Sequence, residues 1–314
     1  MSYPDIIIGT AGWGGGYGRS GQCEDLDAIV QACADYEFHD FDTSPEYRFP
    51  LSCLSGTHGT VYVKVGDSPW ETLAALGKAP VFLRHNAKPK TMIPHWCSGI
   101  SVYAADLPEW TMIPKGIVQV DWSPLHRQAA NIFARDAQDG IRVHLRSIFL
   151  QGALMGNLDG VPRDLHGPIE IFRRVADYTH EDPAFLAFAM AMAQPVDAVV
   201  IGANNLKDIE RLDDYRTRLG KADLAAIRAL IHLIPSCYVD PRLWTSPSSR
   251  SIQATAVTVN DSTTSSENVS ITQIPTSAIK DSPSTGNTAS SSPSAPTSPG
   301  ASSRKGKKRS GPST

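Results

Sequence analysis

The chain has 314 residues, with 29 Lys and Arg, 32 Asp and Glu, and a net charge of −3. Residues 245–314 carry 7 basic and 3 acidic residues and no aromatic residue, which leaves a net charge of −7 on residues 1–244. That acidic balance argues against a nucleic-acid-binding surface on residues 1–244. No apolar stretch reaches the ~18 residues that a membrane-spanning helix needs.

Eight short apolar runs, several rich in β-branched residues, follow one another along residues 1–244. Continuous apolar runs of this length are typical of strands that are buried on both faces of a parallel sheet. The predicted strands are residues 5–10, 38–43, 61–66, 81–85, 99–103, 116–122, 142–149 and 197–203.

Helical patterns lie between several of these strands, at residues 24–36, 69–78, 125–138, 169–178, 183–194, 206–212 and 222–234. Alternating strands and helices indicate βαβ units. Eight strands favour closure into a (β/α)8 TIM barrel over residues 1–244. The Ser-, Thr- and Pro-rich segment 245–314 cannot bury a core, so it is predicted to be a disordered tail.

The alternative fold is a doubly wound Rossmann sheet, and its best support is the run GWGGGYG at residues 12–18. A dinucleotide fingerprint needs glycines that open a helix directly. Here the glycines continue into residues 19–22, RSGQ, so a loop at the mouth of a barrel is favoured.

Catalytic groups of a parallel barrel lie at the carboxyl ends of its strands. The second predicted strand ends near Asp42, with Tyr47 close behind it. Lys64 lies near the end of the third strand and His85 at the end of the fourth. Any one of these residues could be a turn, packing or surface residue. Because the four polar groups occur together at the ends of adjacent strands, they are predicted to form one functional site.

These four residues and their contexts resemble the aldo-keto reductases, whose catalytic tetrad is Asp, Tyr, Lys and His in this order. The segments DFDTSPEY, YVKVG and FLRHN are similar to the family's second, third and fourth strands. Further segments follow in family order: IIIGTAGWG at the start, then GISVY, VQVDWSPLHRQ, RSIFLQGAL and VVIGANNLKDIERL. The resemblance covers about residues 5–235.

The resemblance implies carbonyl reduction by a nicotinamide cofactor. Tyr47 would be the general acid, Lys64 would stabilise its phenolate, Asp42 would anchor the lysine, and His85 would orient the carbonyl group. A phenol is a weak acid, so it needs a neighbouring cation for this role.

The resemblance also implies a binding site for NADP(H) or NAD(H). The residues at the family's cofactor-binding positions fall into four groups. Gly9 and Thr10 lie on strand one, and Ser101 and Gln119 would bind the carboxamide. Near the nicotinamide and pyrophosphate would lie Arg146, Ser147 and Phe149, and near the adenosine phosphate Gly202, Asn204 and Asp208. The sequence departs from the family at Asn204, where a cation often holds the 2′-phosphate, and at Asp208, which would repel that phosphate. NADH is therefore plausible beside NADPH.

The first half of the predicted barrel is short. Only 16 residues separate Tyr47 from Lys64, and 13 separate His85 from Gly99, so the second and fourth outer helices are expected to be reduced. That shortened face and the tail are the candidate surfaces for a protein partner. A basic cluster, SRKGKKR at residues 303–309, is expected to be a solubilising end, with a nuclear address or attraction to nucleic acid as alternatives.

Five unpaired cysteines and the lack of a signal peptide at the N-terminus indicate a cytoplasmic protein. The leading hypothesis is a reductase of a small-molecule aldehyde or ketone. The alternative is a nicotinamide-binding regulator on the same scaffold with little or no turnover. A hydrolase or lyase is disfavoured because the sequence shows no metal cluster and no nucleophile–base motif.

Overall fold

The computed structural model describes residues 3–14, 25–66, 70–88, 92–109, 115–127, 140–237, 239, 242 and 244. Within these residues, parallel strands close into one barrel in chain order, with the last strand paired to the first. The strands are β1 (Asp5–Gly9), β2 (Asp40–Thr43), β3 (Val61–Val65), β4 (Val81–His85), β5 (Gly99–Val102), β6 (Gly116–Asp121), β7 (Ile141–Arg146) and β8 (Ala198–Gly202). The predicted TIM barrel is confirmed, and the doubly wound alternative is excluded.

Six α-helices occur in the described part of the chain. They are α1 (Leu26–Asp35), α2 (Trp70–Leu76), α3 (His166–Tyr178), α4 (Pro183–Met192), α5 (Leu206–Leu219) and α6 (Leu224–Leu230). Aspartate or asparagine side chains cap α1, α4, α5 and α6 by accepting hydrogen bonds from amides of the first turn. All six overlap helices expected from the sequence. The seventh expected helix, at residues 125–138, lies outside the described residues from 128 onward.

The shortening of the first half is confirmed. Two 3-10 turns, Pro45–Tyr47 and Leu51–Leu54, replace a helix between β2 and β3. The described residues between β4 and β5 contain no helix, and a 3-10 turn at Ala104–Glu109 follows β5. These connections are too short for a helix that spans the barrel wall.

The interior of the barrel changes from apolar to polar along the strands. An apolar layer contains the buried residues Ile7, Tyr62, Leu83, Ile117, Ala198 and Val200. Alternate residues of a strand point to the same face, so the next inward positions toward the carboxyl ends are two residues further on. In β3, β4 and β6 these positions are Lys64, His85 and Gln119. These three polar side chains therefore lie next to the apolar layer, on its side toward the carboxyl ends of the strands.

The larger core lies between the barrel and the helices. Nine of the ten residues of α4 are buried, which explains its nearly all-apolar sequence. Trp13 and Trp122 also belong to this core, with at most 1% of their surface exposed. In the described part of the chain, no helix combines the length and the apolar character needed to cross a lipid bilayer. The expected tail, residues 245–314, lies outside the described residues, so its disorder and the boundary at 244 stay predictions.

His144 gives a prediction for stability against acid. This β7 side chain is 2% exposed and packs edge-on against Tyr62, with ring centroids 5.1 Å apart. Burial, followed by the charge of Arg142, lowers the pKa of His144 to about 4. Between this value and the ordinary pKa of ~6.5, the unfolded chain binds a proton that the folded chain does not, so the free energy of unfolding decreases as the pH falls through this window.

We expect His144→Phe to reduce the loss of stability between pH 7 and pH 5 by about 2 kcal/mol, because the substitution removes this proton uptake. Urea unfolding of both proteins at the two pH values measures it. The same substitution at His39, which is exposed, serves as the control. An equal loss in the wild type and the His144 variant would contradict the prediction.

Candidate active site

A cavity of about 490 Å³ opens at the carboxyl end of the barrel. This is the end at which parallel barrels carry their active sites. Eleven of the fourteen residues expected from the sequence line it: Gly9, Asp42, Tyr47, Lys64, His85, Arg146, Ser147, Phe149, Gly202, Asn204 and Asp208. The other three, Thr10, Ser101 and Gln119, are fully buried and do not line the cavity.

A buried ion pair lies at the base of the cavity. Lys64 and Asp42 are only 5% and 2% exposed, and the Nζ of Lys64 donates a hydrogen bond to Oδ1 of Asp42. Burial disfavours the ammonium, but the charge of Asp42, the neighbouring Tyr47 and the hydrogen bond to Asp42 together outweigh burial and raise the pKa of Lys64 above its ordinary value. Lys64 is therefore a fixed cation inside the barrel.

The same ammonium reaches the hydroxyl of Tyr47. The Nζ of Lys64 lies 3.2 Å from the Oη of Tyr47, so the lysine joins the carboxylate of Asp42 to the phenol. Tyr47 ends the 3-10 turn that follows β2, and Arg48 closes that turn in the left-handed region with a φ of 59°. This turn therefore places the phenol of Tyr47 beside Lys64, near the carboxyl end of β3.

The loop after β1 packs closely against the turn that carries Tyr47. A Cβ on Gly14 would lie 1.8 Å from the carbonyl oxygen of Tyr47, so no larger residue fits there without moving the turn. Trp13 holds the same loop from inside, because its Nε1 donates to the carbonyl oxygen of Ala203 at 2.7 Å. The first described residues of the glycine-rich run therefore position the tyrosine, and the rest of that run lies outside the described residues.

His85 lines the cavity as a neutral side chain. Burial, together with the nearby charges of Lys64 and Arg146, lowers the pKa of His85 to about 4. Its Nδ1 is buried and has no hydrogen-bond partner among the described residues. A neutral imidazole still donates one hydrogen bond. It can therefore bind an uncharged oxygen without placing a positive charge in the cavity.

The three expected residues that do not line the cavity surround Asp42 instead. The Nε2 of Gln119 donates to Oδ2 of Asp42 at 2.7 Å, and the Oγ of Ser101 donates to Oε1 of Gln119 at 3.1 Å. Thr10 donates to the carbonyl oxygen of Asp42 through both its amide, at 3.0 Å, and its hydroxyl, at 3.1 Å. Gln119, itself held by Ser101, fixes the carboxylate that pairs with Lys64, and Thr10 fixes the backbone of Asp42.

One wall of the cavity follows β7. The Nη2 of Arg146 donates to the carbonyl oxygen of Val102 at 2.9 Å, while its Nε is buried without a partner in the described part of the chain. β7 was expected to extend to residue 149 but ends at Arg146, because Ser147 has a φ of 63°. Leu150 and Gln151 also have positive φ values, of 48° and 53°.

The outer half of the cavity lies at the start of α5. The amide of Asp208 donates to Oδ1 of Asn205 at 3.0 Å, and Oδ2 of Asp208 accepts from the amide of Asn204 at 2.9 Å. The carboxylate of Asp208 is thus fixed at the N-terminus of the helix, where its charge is favourable.

Several residues that line this cavity were not predicted from the sequence. Tyr103 lies directly after β5, so it occupies a strand end as Lys64 and His85 do. Arg211 and Tyr215 lie three and seven positions after Asp208 on α5, so helical periodicity from Asp208 would have indicated them. The described residues contain no group of three or more His, Cys, Asp or Glu that could hold a metal ion.

Neither a protein-family model nor a curated protein matches the sequence. Solved structures match the fold. An aldo-keto reductase from Bacillus halodurans in its holo form aligns with a TM-score of 0.57 at 14% identity, over 75% of this chain and 94% of that one. The glycerol dehydrogenase from Gluconobacter oxydans aligns with a TM-score of 0.51 at 16% identity, over 75% and 94%.

A thermostable aldo-keto reductase in complex with the inhibitor epalrestat aligns with a TM-score of 0.52 at 14% identity, over 74% of this chain and 100% of that one. At these identities the comparison shows a shared fold. The barrel described above is similar to the barrels of these three enzymes, and a shared fold does not by itself establish a shared function.

Proposed function

We propose that the chain is a divergent aldo-keto reductase that uses NADH or NADPH to reduce an aldehyde or a ketone to an alcohol. The observation that carries this proposal is the continuous contact of Asp42, Lys64 and Tyr47, with neutral His85 in the same cavity. The three aligned structures share the barrel, which supports the proposal without deciding it.

Each group has a task in carbonyl reduction. The hydroxyl of Tyr47 donates the proton that the carbonyl oxygen takes up, and the ammonium of Lys64 stabilises the phenolate that remains. Asp42 keeps Lys64 charged and in place. His85 is neutral, so it can hydrogen-bond the carbonyl oxygen and orient it without competing as an acid.

The cavity suits a nicotinamide cofactor, which when bound would supply the hydride for the carbonyl carbon. Arg146 and Ser147 line the cavity and carry hydrogen-bond donors suited to an anionic or amide group. Gly202 and Asn204 precede α5, a helix of 14 residues, and the carboxylate of Asp208 in its first turn can accept a hydrogen bond from a ribose hydroxyl. A volume of about 490 Å³ is within the ordinary range of ligand pockets.

The experiment that tests the proposal uses the full chain. NADH and NADPH are titrated by fluorescence, and a panel of aldehydes and ketones is then added while the loss of cofactor absorbance is followed. Binding with turnover supports the reductase. Binding without turnover on any substrate supports the alternative, a regulator on the same scaffold. No binding of either cofactor contradicts both.

Asp208 gives a prediction about the choice of cofactor. A 2′-phosphate near the start of α5 would meet the carboxylate of Asp208, which accepts a hydrogen bond from the amide of Asn204, whereas a ribose hydroxyl can donate to that carboxylate. We expect NADH to bind at least as tightly as NADPH. We expect Asp208→Asn to raise the affinity for NADPH about fivefold and to change the affinity for NADH less, since the variant removes one repulsive charge near the surface.

The control for this variant is Asp223→Asn, which changes the capping residue of α6, a helix that does not line the cavity. Fluorescence titration of each variant with both cofactors measures the ratio of dissociation constants. A wild-type preference for NADPH, or a ratio that Asp208→Asn leaves unchanged, would show that this carboxylate does not select the cofactor.

A further inference from the structure

Arg242, one of the last described residues of the chain, contacts a side chain that lines the cavity. Tyr103, which lines the cavity after β5, contacts two guanidinium groups. The Cζ of Arg146 lies 4.5 Å from the centroid of its ring, and the Cζ of Arg242 lies 4.2 Å from it. Both distances are short enough for a cation–π interaction.

Arg242 is fixed from its other side by Asp106. Its Nη1 and Nη2 donate to the two carboxylate oxygens of Asp106, at 2.9 and 3.1 Å. Burial opposes the ionisation of this carboxyl, but the hydrogen bonds from Arg242 and Lys88 outweigh it and lower the pKa of Asp106. A bidentate pair restricts a guanidinium in orientation as well as in position.

Each of the two arginines also has a carboxylate beside it. Arg146 has the carboxylate of Asp121 at 4.0 Å, and Arg242 has that of Asp106. Each cation thus has an anion nearby, which offsets the repulsion between two guanidinium groups that share one aromatic ring. Removal of Arg242 would leave Tyr103 with one stacked cation and a freer side chain.

We propose that Arg242 is a positioning residue of the binding site, because it holds Tyr103 and, through that ring, Arg146 in the cavity wall. Arg242, which follows α6 in the chain, therefore supports the wall of the site from outside the cavity. This inference rests on the proposed function, since the ligand that the wall receives is the nicotinamide cofactor. A wall held in its bound geometry binds more tightly, because less conformational freedom is lost on binding.

The first test compares Arg242→Ala with Arg216→Ala in the full chain. Arg216 is a matched control, because its Cζ lies 4.9 Å from the ring centroid of Phe38 and its Nη2 donates to Asp213 at 2.7 Å, yet it does not line the cavity. We expect Arg242→Ala to raise the dissociation constant of NADH about fivefold with kcat nearly unchanged, and Arg216→Ala to leave both unchanged. Arg242→Lys keeps the charge but loses the bidentate geometry, so its effect should be intermediate.

The second readout needs no cofactor. Fluorotyrosine is incorporated in place of tyrosine, and the ¹⁹F resonance of residue 103 is assigned by its loss in Tyr103→Phe. We expect Arg242→Ala to shift this resonance and Arg216→Ala to leave it in place. If the wild type binds neither NADH nor NADPH, the proposed function fails, and the resonance still decides whether Arg242 holds Tyr103.

Two results would overturn the inference. One is a resonance of residue 103 that does not respond to Arg242→Ala. The other is a shifted resonance with an unchanged dissociation constant in a wild type that binds the cofactor, because the contact would then have no part in binding.

Discussion

Tyr47→Phe is expected to lower kcat for carbonyl reduction about a thousandfold, since a positioned general acid contributes roughly 10²- to 10⁴-fold to a rate. The substitution removes only the hydroxyl that Lys64 contacts at 3.2 Å. The aromatic ring, the pair of Lys64 with Asp42 and the rest of the cavity are retained. The dissociation constant of the cofactor should therefore change little, and the loss should appear in kcat.

Tyr215→Phe is the matched control for this experiment. Tyr215 also lines the cavity, but its hydroxyl donates to a carboxylate oxygen of Asp182. Burial, followed by that hydrogen bond, raises the pKa of Tyr215 well above its ordinary value, so it is a poor proton donor. Steady-state kinetics with the best substrate of the panel measures both variants. An unchanged kcat in Tyr47→Phe would show that the proton comes from another group.

Asp42→Asn is expected to lower the free energy of unfolding by about 3–5 kcal/mol, because removal of one partner of a buried ion pair leaves a buried charge without compensation. Lys64 is 5% exposed, so most of the cost of burying its charge remains in the variant. Gln119 and Thr10 would retain their places around residue 42. Urea unfolding at pH 7 measures the change.

The double variant Asp42→Asn with Lys64→Met separates the charge from the packing. It buries no cation, so it should be more stable than the single Asp42 variant. An exposed pair supplies the control: Glu170 lies 3.4 Å from Arg174 on the surface of α3, and Glu170→Gln should cost under about 1 kcal/mol. A double variant no more stable than Asp42→Asn alone would contradict a dominant role for the buried charge.

The barrel was predictable because its signals are local. Each buried strand is a short apolar run, and a parallel sheet buries both faces of its strands. The layer of Lys64 and His85 was predictable for the same reason, since each lies near or at the end of such a run. The reduced outer helices followed from counting residues between strands.

The parts that could not be predicted depend on contacts between distant residues. Arg242 lies 136 positions from Asp106, and nothing in the local sequence indicates their pairing. Ser101 and Gln119 were expected at the cavity surface, but their hydrogen bonds run to each other and to Asp42. The end of β7 depends on the left-handed conformation of Ser147, which a serine adopts only when its surroundings favour it.

The wall that follows β7 limits how this protein can evolve. Three residues there, Ser147, Leu150 and Gln151, hold a left-handed backbone that costs an L-residue roughly 1 kcal/mol or more each relative to glycine. The remainder of the fold must supply that free energy. Glycine at these positions would relieve the strain but would also let the wall move, so a gain in thermal stability and the loss of a rigid ligand surface are coupled in the same three residues.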